Sequence, residues 1–167
     1  MAAKELASEL IKFFEGCELE AYLCPARIWT IGVGSTKGVH EGMVITEEEA
    51  TQRLYEDMHD SQKRIDRLVK IKLAPHEHAA LLSLGFNVSY NSSIKLAGYL
   101  NGDKELFKKK LLLYCKGGGK VLKGLKIRRI AERLLFEERP WKDIATKMQK
   151  MSIEEIEDYS HKLFAGV

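Results

Sequence analysis

The sequence predicts a mostly helical α+β domain, and three observations carry that prediction. Apolar residues recur every three or four positions along most of the chain, and two Ser/Thr-x-x-Glu capping boxes, at Thr46 and Ser152, open helical segments. The one stretch rich in β-branched and aromatic residues and broken by glycines lies near residues 24–46. With 167 residues the chain has the size of a single domain, large enough for two lobes that share a helix. Hydrophobic residues at 45% and charged residues at 31% fit a globular protein and exclude disordered and fibrous classes.

In chain order, Leu6, Leu10, Phe13 and Phe14 form an apolar stripe that predicts a helix over residues 3–14, stopped by Gly16. Arg27 to Ser35 reads as a strand and turn of a small antiparallel sheet continuing towards Val44. Thr46 and Glu49 cap a long helix running to about residue 70, whose Ala50, Leu54, Met58, Ile65 and Leu68 face inward. Pro75 suits the first turn of the next helix, and Ser92 and Asp103 are expected to cap two more, separated by a turn at Asn101-Gly102. Lys116 to Lys120 reads as a mobile glycine loop. Helical spacing returns over residues 125–138, with Pro140 as its end, and Ser152 opens a terminal helix through Ile156, Leu163 and Phe164. Trp141 is expected in the core. The whole chain, 1–167, is read as one domain: a small β-containing lobe at about 15–46, a linking helix at about 47–70, and a helical lobe at about 71–167 with the first helix packed on it.

Several function classes drop out. Lys plus Arg number 27 against 24 Asp plus Glu, a net charge of +3 that does not argue for a nucleic-acid partner. No apolar run approaches the roughly 18 residues of a membrane span, and Met1 to Leu6 lack the apolar core of a secretory signal, so synthesis in the cytoplasm without a stable membrane anchor is expected. Gly117 to Lys120 fails the phosphate-loop pattern, and His76-Glu77-His78 lacks the second histidine of a zinc protease helix because position 80 is Ala. Cys17, Cys24 and Cys115 are too few for a disulfide scaffold, and the spacing of Cys17 and Cys24 matches no common zinc site, so no metal is expected.

The informative segment runs from Glu15 to Gly34. A carboxyl at a helix C-terminus beside Phe13, Phe14 and Tyr22 has both the negative end of the dipole and apolar neighbours against its charged form, the setting a general acid requires. Glu15, Cys24 and Thr30 stand in an E-x8-C-x5-T array followed by Ile31-Gly32-x-Gly34. This array resembles the phage-type lysozyme (endolysin) family, glycoside hydrolase family 24, whose members are T4-lysozyme-like. Further agreement comes from Gly42-Met43, Ile45-Thr46-x-x-Glu49-Ala50, Phe86-Asn87-Val88, and Gly118 to Phe136 with Arg128-Arg129-x-x-Glu132-Arg133, so the resemblance spans about residues 6–137.

The resemblance implies a lysozyme-like two-lobed fold that hydrolyses the β-1,4 bond between N-acetylmuramic acid and N-acetylglucosamine in peptidoglycan, without cofactor. By family role Glu15 is the general acid, Cys24 stands where most members carry Asp, and Thr30 positions the water or the reacting sugar. An inverting displacement, the family pattern, needs acid and base roughly 6.5–9.5 Å apart. A thiol makes a poor base unless its thiolate is stabilised, so base in an inverting route and nucleophile in a retaining one both stand open for Cys24. Ser35 replaces a histidine common in the family, which is expected to cost packing of the lobe. Asn87 is a candidate substrate contact, and Arg129 is expected either to contact substrate or to brace the lobe. A Cys17–Cys24 disulfide, similar to that of latent, membrane-anchored endolysins, would tie up the catalytic sulfur. The resemblance further implies a monomer made in the host cytoplasm, reaching the peptidoglycan layer through a holin-like membrane lesion, in the service of host lysis. The rival reading is a noncatalytic or redox-latent peptidoglycan-binding protein on the same scaffold.

Overall fold

The computed structural model describes residues 2–166. Helix α1 (Ala3–Glu15) buries Ala7, Leu10 and Ile11 completely and ends at Gly16, whose φ of +75° turns the chain into the small lobe. There β1 (Glu18–Leu23) pairs antiparallel with β2 (Trp29–Gly32), matching Tyr22 to Thr30 and Leu23 to Trp29 after an irregularity in β1. Single bridges tie Glu20 to Val44 and Ile31 to Ser35. The sheet therefore begins earlier than expected: β1 lies ahead of residue 24. Its alternating residues Leu19 and Ala21 pack on a small core of Ile31, Ile45 and Ala50.

Ala50 belongs to α2 (Glu47–Leu68), a helix opened by the capping box of Thr46 and Glu49. The same helix sends Leu54 and Met58 into the main core, so one element serves both clusters. Ser35 adds a second tie. It is 3% exposed and its hydroxyl donates to the carboxylate of Asp57 on α2. The expected loss of packing at this position is not what the structure shows, because a short hydroxyl reaches the helix directly.

The main core is built by α3 (Pro75–Asn87), α4 (Tyr90–Gly102), α5 (Lys104–Leu111) and α6 (Lys123–Phe136) around α1. Ser89, not Ser92, caps α4: the Ser92 N–H donates to the Ser89 hydroxyl at 3.2 Å. Asn101 and Gly102 continue α4 instead of forming a turn, and Asp103 both closes α4 and caps α5 through Glu105 N–H. The expected glycine loop is a hairpin of β3 (Lys116–Gly117) and β4 (Lys120–Val121), with Gly118 and Gly119 at φ of +56° and +79°. Two successive positive φ values make the tight turn that matches strand twist, which only glycine adopts without strain. Helix α6 stops at Phe136, ahead of Pro140, where Glu138 takes a positive φ.

Trp141 is buried and leads into α7 (Lys142–Met148), a short helix the sequence pattern did not reveal. The expected terminal helix is α8 (Ile153–Leu163), opened by Ser152 and Glu155 and anchored by a fully buried Ile156. Phe164 covers Arg133 of α6, with the guanidinium 3.7 Å from the ring centroid. Among the described residues no helix is long and apolar enough to cross a membrane.

Candidate active site

Glu15 occupies the last turn of α1 with its side chain 36% exposed. The apolar setting expected for it is only partly present. Phe13 and Phe14 meet edge to face, and Phe13 continues onto Trp141 in the helical lobe, so these rings are engaged in packing. What holds the carboxylate is Arg128, which donates Nη1 to Oε1 at 2.5 Å and lies over the Phe14 ring. Arg128 itself is 3% exposed and is fixed from behind: its Nε donates to Glu132 Oε1 at 3.3 Å and its Nη2 reaches the Ser83 carbonyl at 3.4 Å.

Glu132 is the hub of a buried network. Besides Arg128, its Oε1 accepts from the Ser83 hydroxyl at 2.7 Å and from Arg129 Nη2 at 3.0 Å. Arg129 Nε lies 2.8 Å from Glu132 Oε2, near enough for charge attraction although its N–H is not aimed at that oxygen and no hydrogen bond forms. Burial pushes the Arg129 guanidinium below its ordinary value, while the Glu132 charge opposes that shift.

Arg129 is fully buried, which excludes direct substrate contact, one of the two roles expected for it. It donates Nη2 to Asn87 Oδ1 at 2.9 Å instead. Asn87 is the exposed end of that pair, and it lines an open groove of about 380 Å³ with Ser89, Ser92, Leu113, Tyr114 and Lys116.

The β1–β2 turn brings Cys24 and Thr30 together. The Cys24 N–H donates to the Ile28 carbonyl at 3.0 Å and Arg27 N–H to the Cys24 carbonyl at 2.7 Å, with Arg27 at φ +59°. The backbone N–H of Ile28, facing the sulfur, holds the thiol below its ordinary value; partial burial opposes this, and Ala26 N–H and the Thr30 hydroxyl assist. Thr30 is 4% exposed and its hydroxyl donates to the Ile28 carbonyl at 2.9 Å. It has one proton to give, so donating to a Cys24 thiolate means releasing that carbonyl.

All three cysteines are free, Cys17 exposed and Cys115 buried. Cys17 and Cys24 flank the six-residue strand β1. A regular strand of that length spans roughly 17–20 Å, somewhat less with a bulge, whereas a disulfide needs Cα atoms within about 7 Å. The Cys17–Cys24 bond that the resemblance raised is therefore incompatible with β1 as folded.

The sequence pattern R-R-x-x-E signals an Arg128–Glu132 pair one helical turn apart, but neither Arg128 nor Ser83 was singled out as supporting Glu15, because that contact joins residues 113 positions apart.

A small sheet lobe and a helical lobe bridged by one long helix form the two-lobed architecture of lysozyme-like glycoside hydrolases; here a carboxylate ends the first helix, and a thiol and a hydroxyl lie on the adjoining hairpin. A family model described as phage lysozyme matches residues 12–132, and the chain belongs to that family. An endolysin of Acyrthosiphon pisum secondary endosymbiont phage 1 is 35% identical over 144 residues, covering 82% of this chain and 99% of its own. A solved mutant of phage P22 lysozyme superposes with a TM-score of 0.75 at 32% identity, over 82% of this chain and 99% of that one. An endolysin from Escherichia coli O157:H7 phage FAHEc1 gives a TM-score of 0.73 at 31% identity, over 84% and 97%.

Proposed function

We propose that this protein is a lysis enzyme that cleaves the β-1,4 bond between N-acetylmuramic acid and N-acetylglucosamine in peptidoglycan. The observation that carries the reading is the Glu15 carboxyl, presented at the open end of α1 and held by a buried guanidinium. In its protonated form Glu15 gives its proton to the leaving oxygen, and the Arg128 cation then stabilises the carboxylate that results. Cys24 supplies the second group. With backbone N–H groups directed at its sulfur, a larger share of thiolate is present than for a free cysteine.

Acting as base, the thiolate takes a proton from water attacking the far face of the sugar, and the product is inverted. Acting as nucleophile, it forms a thioglycosyl intermediate that water opens, and the product is retained. Thr30 hydrogen-bonds the sulfur or the water. Asn87, at the mouth of its groove, contacts the glycan, with Arg129 bracing it from the core. The protein acts as a monomer without cofactor, and reaches the wall through a membrane lesion opened by a holin-like partner.

The experiment is clearing of purified peptidoglycan by the wild type, Glu15→Gln and Cys24→Ser, each with and without reductant, with the product anomer read by NMR. Clearing by wild type and none by Glu15→Gln is the expected result. Wild type that pellets with walls and never cleaves them, in either redox state, overturns the assignment in favour of a wall-binding protein. Activity appearing only with reductant marks redox latency, which requires β1 to open.

A further inference from the structure

The buried cluster behind Glu15 has a charge balance the catalytic reading does not use. Arg128 and Arg129 bring two positive charges, and Glu132 is the one carboxylate facing them from within the core. The other groups packed on this cluster are the uncharged Ser83 and Asn87 of α3, the Phe14 ring of α1 and the Cys115 thiol beside Arg129. Of the neighbouring charges, Arg133 is paired with Glu137, while the Lys12 ammonium of α1 keeps its charge and is turned to the Thr51 hydroxyl of α2. With Glu15 ionised the cluster is neutral, and with Glu15 protonated it carries one net positive charge.

We propose that Glu132 is a positioning residue for catalysis: it fixes Arg128 against Glu15 and, by cancelling the second guanidinium, keeps Glu15 able to hold the proton it must deliver. Resting on Glu15 as the acid, this extends the site to a carboxylate that is 1% exposed and touches no substrate. Without Glu132, the Arg129 charge behind Arg128 is left uncancelled, and Arg128 loses the group that fixes it against Glu15. Glu132 and Glu15 bind one guanidinium, Glu132 at Nε and Glu15 at Nη1, so a change of charge at one is felt at the other.

The test is the pH profile of peptidoglycan cleavage, followed on its alkaline limb, where loss of the Glu15 proton ends activity. Glu132→Gln makes the cluster more positive and moves that limb to lower pH. Arg129→Gln makes it more negative and moves the limb up. The double variant restores the balance and returns the limb to its wild-type position, and it keeps the test open if either single variant folds poorly. Glu132→Asp keeps the charge and leaves the limb in place while lowering the melting temperature.

Limbs that coincide across all variants while stability falls would reduce Glu132 to packing and overturn the proposal. Glu15→Gln is run alongside. If it cleaves walls, the acid reading itself is wrong; if it is inactive and the limbs do not move, only the role of Glu132 is lost.

Discussion

Helix α8 lies outside the family match of residues 12–132, and Ile156 tests whether it is part of the cooperative structure or an appendage. Ile156 is 0% exposed. Truncation to Ala removes three carbons, about 2.4 kcal/mol of transfer free energy at ~0.8 kcal/mol each, and the residual cavity raises this to about 3.5 kcal/mol. For a domain of this size each kcal/mol moves the melting temperature by about 2–4 °C, so a fall of about 7–14 °C is expected. The assay is a thermal melt followed by circular dichroism, with the exposed Glu154→Gln as a control held within about 0.5 kcal/mol. Wall clearing at 20 °C, measured in parallel, stays at the wild-type rate because Ile156 touches no group of the site. A shift below about 2 °C for Ile156→Ala would refute the reasoning, since α8 would then be detaching without loosening α6.

Three further outcomes are expected. Burial holds the His78 imidazole below its ordinary value, with Lys4 adding to this and Asp66 opposing it. A folded value below the unfolded one contributes stability above about pH 6.5 that is lost as pH falls through the folded value, so the urea midpoint drops between pH 7 and pH 5. His78→Gln shrinks that drop, and an unchanged difference would contradict the assignment. The Cys24 thiol alkylates with iodoacetamide at a midpoint pH below that of free cysteine, and Thr30→Val moves the midpoint up; no movement would show that the hydroxyl does not serve the sulfur. Gly119→Val forces a branched side chain into the left-handed region, costing on the order of 1–2 kcal/mol. Hydrogen exchange at the Leu122 N–H, which donates to the Cys115 carbonyl, accelerates about tenfold if the hairpin is as tight as described, and stays unchanged if it is already open.

Signals carried by a few adjacent residues were legible in the sequence. The caps at Thr46 and Ser152 and the stripes of α1 and α2 each depend on side chains within a turn or two, and they appear where expected. Strand β1 was not legible because only Leu19 and Ala21 of its six residues face inward, and its backbone is completed by Met43 and Ile45 from a later segment. The glycines at 118 and 119 read as looseness, although a tandem of positive φ values is what a two-residue turn demands. At the site, Glu15, Cys24 and Thr30 were selected by resemblance, and their positions follow from local chain geometry. The wall behind Glu15 is tertiary: Arg128, Ser83 and Glu132 come from two helices that pack antiparallel, and no local pattern states that they meet.

Strand β1 also acts as a spacer between two thiols. Once the small sheet has closed, Cys17 and Cys24 are held at opposite ends of it and cannot react with each other, while Cys115 is sealed in the core. An oxidant that arrives after closure meets Cys17 and the half-buried Cys24 singly and drives each toward a partner from outside the chain. An oxidant that arrives earlier finds both in a flexible loop of eight residues, where encounter is fast and the bond blocks the strand from forming. The two events compete, and their order decides which population of molecules results.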